Sequence, residues 1–131
     1  MISKYIKLLL LKSKLKKKKN SKREKGEIAE EFAATYLELK GYRILKRNLF
    51  FKGGEIDILA MKGKTLYVFE VKMREGDNFG DVFESIDSRK RKRLYSFANR
   101  VNLGSYENIE ISLFYISIDK KENLSYGIIK I

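Results

Sequence analysis

The chain has 131 residues, 44% of them hydrophobic, with 29 Lys plus Arg against 17 Asp plus Glu and a net charge of +12. That length suits one domain built on a single core. With no Cys and no His, disulfide frameworks, thiol or imidazole catalysis and His/Cys zinc sites are excluded, which leaves carboxylates, lysines, hydroxyls and a bound metal ion for chemistry. The lack of disulfides fits a reducing compartment such as the cytoplasm. The basic balance points to a polyanionic partner, either nucleic acid or an anionic membrane surface.

Most of the charge belongs to one segment. Residues 1–25 contain eleven bases and a single acid, Glu24, so +10 of the +12 is local and residues 26–131 are close to neutral. The apolar run Ile6 to Leu11, interrupted by Lys7, falls short of the ~20 residues that a membrane span needs. Lys16 to Lys19 follow it where a secretory signal would have small residues and a cleavage site. Residues 1–22 therefore read as a basic N-terminal extension, helical or disordered, and 23–131 as one domain. The extension has three readings: a solvated tail, a phosphate-binding arm, or an amphipathic helix on a membrane surface.

From Glu24 to Lys40, the apolar positions Ile28, Ala29, Phe32, Ala33, Tyr36 and Leu37 recur at helical spacing, and Gly41 stands where the helix would end. Tyr42 to Phe51 reads as a strand. Gly53-Gly54 breaks the chain before strands Glu55 to Met61 and Thr65 to Arg74, which Gly-Lys-Thr joins as a hairpin. Phe83, Ile86, Leu94, Phe97, Ala98 and Val101 mark a second helix ending near Gly104. Strands Ile109 to Ile118 and Leu124 to Ile131 close the domain. The pattern predicts an α/β fold with a mixed sheet and flanking helices.

The hairpin concentrates the chemistry. A two-residue Gly63-Lys64 turn of type II′ pairs Lys62 with Thr65. Strict register then sets Asp57 opposite Glu70 and Glu55 opposite Lys72, with Cβ atoms about 5 Å apart. Period-2 alternation puts Glu55, Asp57, Leu59 and Met61 on one face. Facing carboxylates repel unless one is protonated or a cation lies between them. Hard oxygen donors would favour Mg2+ or Mn2+, and a nearby lysine can offset charge on a phosphate. The plainer reading is an ordinary Glu55–Lys72 cross-strand pair with Asp57 and Glu70 on a solvated face.

Gly54-Glu55-Ile56-Asp57-Ile58-Leu59-Ala60, followed by Glu70-Val71-Lys72, resembles the D…(D/E)xK pattern of the restriction-endonuclease-like PD-(D/E)xK nucleases, with Ile56 in place of the proline. More closely, the stretches at 25–45, 47–60 and 68–74, Phe79-Gly80 and the helix bearing 88–94 are similar to the uncharacterised bacterial YraN-like family. The resemblance implies an αβββαβ core and a Mg2+- or Mn2+-dependent endonuclease acting on nucleic acid, DNA by analogy. It implies Asp57 and Glu70 as metal ligands and Lys72 as the catalytic lysine. It suggests Glu27 as a further ligand, although a first-turn glutamate can equally complement the helix dipole. Glu55 and Lys90 are further candidates for the site.

The run Arg89, Lys90, Arg91, Lys92, Arg93 reads either as a solvated helix face or, with Arg74, as a phosphate-contacting surface. Tyr42, Tyr67 and Tyr95 suit base stacking or, more commonly, core packing. The resulting expectation is a metal-dependent nuclease-like protein, as a monomer or homodimer. The alternative is a non-catalytic nucleic-acid-binding or scaffold protein that retains the fold.

Overall fold

A computed structural model describes residues 3–76, 86–101 and 105–131. Helix α1 (Lys4–Leu15) starts at Ser3, whose hydroxyl accepts the Ile6 N–H at 3.2 Å. Helix α2 (Lys22–Leu39) starts in the same way, Ser21 accepting from Glu24 N–H at 3.2 Å. In each case the cap satisfies one of the amides that a first turn leaves unpaired. Helix α2 ends at Gly41 with φ of +90°. There the Tyr42 and Gly41 N–H groups donate to Leu37 O and Glu38 O, a Schellman closure that needs a left-handed residue.

Five strands follow: β1 (Arg43–Phe51), β2 (Gly54–Lys62), β3 (Thr65–Glu75), β4 (Asn108–Ile118) and β5 (Leu124–Lys130), with helix α3 (Ser88–Arg100) between β3 and β4. They lie in the order β1-β2-β3-β4-β5. All neighbours are antiparallel except β3 and β4, because only that connection carries a helix long enough for a parallel crossover. The mixed α/β architecture agrees with the sequence reading, and the strand ends agree to within a residue or two, but the second helix of that reading, α3, is shorter than expected: Ile86 lies before its Asp87 cap and Val101 caps its end. Phe79-Gly80, Phe83 and Gly104 lie outside the described residues.

The sheet is covered on both faces. A first core joins Leu8, Leu11 and Leu15 of α1 and Phe32, Ala33 and Leu37 of α2 to Ile58, Phe69, Phe114 and Ile116. A second core packs Leu94 and Ala98 of α3 on Ile56, Leu59, Leu66, Val68 and Ile111. Strand β3 is central and buried on both sides, which explains its continuous apolar run from Leu66 to Phe69. The basic extension is not solvated along its whole length. Leu15 is fully buried, and the helix is held by ion pairs from Lys4 to Glu38 and from Lys7 to Glu31. Its lysines stay in water while its leucines join the core of the domain.

Candidate metal and nucleic-acid site

The β2–β3 hairpin turns at Gly63 with φ of +61°. Its register runs from Lys62↔Thr65 to Ile58↔Phe69, as the two-residue turn requires, and ends there. Asp57 is not a ladder partner of Glu70, nor Glu55 of Lys72. The side chain of Asp57 turns onto β3, where Oδ2 accepts the Val71 N–H at 2.8 Å.

Alternation along β2 fails at the same residue. Ile58 and Ala60 belong to the first core, whereas Ile56 joins Leu59 and Met61 in the second. Strict period 2 would place Ile56 with Ile58. The β1–β2 ladder shifts register between Ile44 and Lys46, and further on it leaves Asn48 and Asp57 unpaired between Arg47↔Ile58 and Leu49↔Ile56 without changing register. Between these pairs, Asn48 of β1 takes φ of +51°, a left-handed conformation that Asn tolerates better than most residues. Irregular strand segments of this kind re-aim side chains. Here the effect is that Glu55 and Asp57 do not share the face of Leu59 and Met61, as simple alternation predicts, but reach Glu30 on α2.

One carboxylate oxygen each from Glu30, Glu55 and Asp57 lies within 4.8 Å of the others. The amide of Asn48, oriented to satisfy its neighbours, donates to Glu30 Oε1 and Glu55 Oε1, both at 3.0 Å. Glu27 is elsewhere: its side chain is 67% exposed and pairs with Arg23 at 3.5 Å. Helical geometry explains the difference. At about 100° per residue, Glu30 lies roughly 100° from buried Ala29 and can edge toward the sheet, while Glu27 lies about 160° away and faces water. The sequence carries Glu30 and Asn48 in plain view. Proximity of Glu30 to the buried stripe could have favoured it over Glu27, but only the strand irregularity brings in Asn48.

Glu70 approaches from the other side. Its position on β3 shares a face with Leu66 and Val68, toward α3, and its carboxylate is buried. Lys90 Nζ of α3 donates to Glu70 Oε1 at 2.8 Å, and Lys72 Nζ lies 3.6 Å from the same oxygen. Burial and then the charge of Glu70 push Asp57 up to about 7, with Glu30 and Glu55 adding to the rise and the Val71 N–H opposing it. Glu30 is also raised, by burial first and then by Glu55. Its neighbour Glu31 is held low by Lys7 and Arg47. Partly buried acids that resist ionisation together are a natural seat for a hard cation.

Cationic side chains gather along β3, beyond Val71. A cavity of about 660 Å³ is lined by Lys18, Lys22, Lys25, Lys72 and Arg74. Of these, Lys25 is paired with Glu75, and Arg74 donates to Met73 O at 3.4 Å. On α3, Arg89, Arg91, Lys92 and Arg93 are exposed. Arg91 donates to Ile131 O and Arg93 to Gly53 O. Tyr42 and Tyr67 pack edge to face in the first core, whereas Tyr95 is 49% exposed.

Residues 29–112, which contain Glu30, Glu55, Asp57, Glu70 and Lys90, match the model of the family described as uncharacterised protein family UPF0102. A UPF0102 protein of Carboxydothermus hydrogenoformans is 36% identical over 107 residues, covering 79% of this chain and 88% of that protein. UPF0102 proteins of Symbiobacterium thermophilum and Moorella thermoacetica are 42% and 45% identical, over 59% and 60% of this chain and 65% of each relative.

Proposed function

The chain belongs to the UPF0102, or YraN-like, family, in the setting of the restriction-endonuclease-like fold, and on that premise we propose that it is a divalent-metal-dependent nuclease acting on DNA. The observation that carries this reading is the convergence of Glu30, Glu55 and Asp57, three carboxylates from two elements, within 4.8 Å. Their donor chemistry, all hard oxygen, fits Mg2+ or Mn2+. When bound, such an ion supplies charge neutralisation at a phosphodiester and acidification of a water.

The protein's own groups do the rest. A bound cation would hold Asp57 in its ionised form, and the bond to Val71 N–H fixes the carboxylate on β3. Asn48 holds Glu30 and Glu55 in place through its two N–H donors. Lys72, whose side chain is one third exposed beside Glu70, offsets charge developing on the phosphate or orients the attacking water. Lys90 neutralises Glu70, which stands outside the three-carboxylate group. Arg89, Lys92 and Arg93, with the basic cavity along β3, hold the phosphates on either side.

The test is cleavage of duplex, single-stranded and four-way-junction DNA with Mg2+ or Mn2+, by the unaltered chain and by Glu30→Gln, Asp57→Asn and Lys72→Ala. Metal-dependent cleavage lost in all three variants supports the reading; cleavage that survives them excludes it. The buried Glu70–Lys90 pair favours a second reading, in which the site is closed and the chain binds DNA without cutting it. That reading predicts salt-sensitive, metal-independent binding.

A further inference from the structure

Helix α1 has two apolar faces, and among the described residues only one of them is packed. Leu8, Leu11 and Leu15 are buried against α2. On the opposite side, Tyr5 is 71% exposed, Ile6 53%, Leu9 64% and Leu10 50%. At about 100° per residue these four fill one arc of roughly 140°, with Lys14 beyond one edge and Lys12 beyond the other, while Lys16, at the helix end, falls inside it. Exposed large apolar residues scattered singly need no explanation, but four in one stripe on one helix do.

We infer that this outer face of α1 is a docking surface for an anionic lipid membrane, on which the helix lies in the plane of the interface. Charge decides among possible occupants. The segment 1–25 carries +10, so a second copy docking through the same face would bring two strongly basic segments together. A nucleic-acid backbone would accept the lysines and leave the leucines in water. An anionic bilayer takes both, the apolar stripe entering the acyl boundary and the lysines meeting the headgroups.

The helix is presented ready-made. Lys4 and Lys7 tie it to Glu38 and Glu31, and Lys12 lies over the Tyr126 ring at 5.0 Å. Little order remains to be gained on binding, and that raises affinity for a given contact area. Lys14, Lys16, Lys17 and Lys19 are exposed and can face the headgroups. The helix precedes the stretch matched to the family, which begins at residue 29. Docking is thus a property of this chain's own N-terminal segment and is independent of any nuclease activity.

The test is co-sedimentation of the full chain with vesicles of phosphatidylglycerol in phosphatidylcholine and with pure phosphatidylcholine, at low and high salt. It is repeated for the double variant Leu9→Ser/Leu10→Ser, whose thermal midpoint and light-scattering mass are measured alongside. The expected result is binding to the anionic vesicles alone, weakened by salt, and about tenfold weaker in the double variant with its midpoint unchanged. No binding to anionic vesicles overturns the inference, as does binding that the double variant retains in full. So does a change in mass in the variant, which would make the stripe a contact between copies. An equal loss of duplex-DNA binding in the variant would assign the face to nucleic acid instead.

Discussion

Asp57 of β2 accepts the backbone N–H of Val71 at 2.8 Å, so a carboxylate stands where a strand-to-strand carbonyl would normally be. The bond fixes Asp57 at the end of the β2–β3 ladder and turns it toward Glu30. It also stabilises the ionised form, yet burial and the charge of Glu70 outweigh it and leave the group near 7. Below that pH the group is held in its neutral form, against its ordinary acidity.

That shift has a sign in pH. Asp57 ionises near 3.8 when unperturbed and at about 7 in the folded chain. Between those values the folded chain keeps a proton that the unfolded chain has released, so stability falls as pH rises through this window and stays at the lower level above it. Three pH units correspond to on the order of 4 kcal/mol as an upper bound. Denaturant unfolding at pH 5 and pH 8 should show this slope. Asp57→Asn should flatten it and be the more stable protein at pH 8.

Mn2+ should reverse the deficit. At pH 8 the melting temperature of the unaltered chain should rise with Mn2+ concentration, as ligand linkage requires, and Glu30→Gln or Asp57→Asn should lose most of that rise. Glu27→Gln should retain it, since Glu27 is paired with Arg23 in solvent. A rise that depends on Glu27 and not on Glu30 would contradict the site described above.

Lys90 is tied to Glu70 at 2.8 Å, with the Glu70 side chain only 8% exposed. Lys90→Met removes the nearer of its two cations and leaves Lys72 at 3.6 Å. The expected loss is about 1 to 3 kcal/mol of stability by chemical denaturation, the range for a buried charge deprived of a partner. Neutralising both with Lys90→Met and Glu70→Gln should recover part of it; a double variant less stable than the single one would show that the pair is not the cause.

The two faces of α1 should separate cleanly. Leu15 is fully buried in the first core, whereas Leu9 is 64% exposed. Leu15→Ala should cost about 2 to 5 kcal/mol, while Leu9→Ala should fall within about 0.5 kcal/mol of the unaltered chain. Equal effects, measured by urea unfolding, would mean that α1 does not belong to the folded domain.

Much of this molecule can be read locally. Helix α2 and strand β3 announce themselves by spacing, because a helix buries every third or fourth residue and a doubly covered strand buries nearly all of them. Gly63 sets the turn, and the turn sets the register of Met61 on Leu66 and Ile58 on Phe69. Even Glu70 and Lys72 follow from alternation on β3, since that strand stays regular along its parallel pairing with β4.

The acid cluster could not be read in the same way. Alternation would put Glu55 and Asp57 beside Leu59, but the irregularity at Asn48 and Asp57 turns them to Glu30, and no periodic rule contains a break in its own period. Likewise, the charge of residues 1–25 gives no hint that Leu8, Leu11 and Leu15 enter the core, since that depends on α2 offering an apolar face at the right distance. Composition, spacing and turn chemistry act between neighbours in the chain, and so the elements, their order and the identity of the chemical groups are legible along it. Which carboxylates meet, and which face of α1 is packed, are outcomes of contacts between segments far apart in sequence, where no local rule reaches.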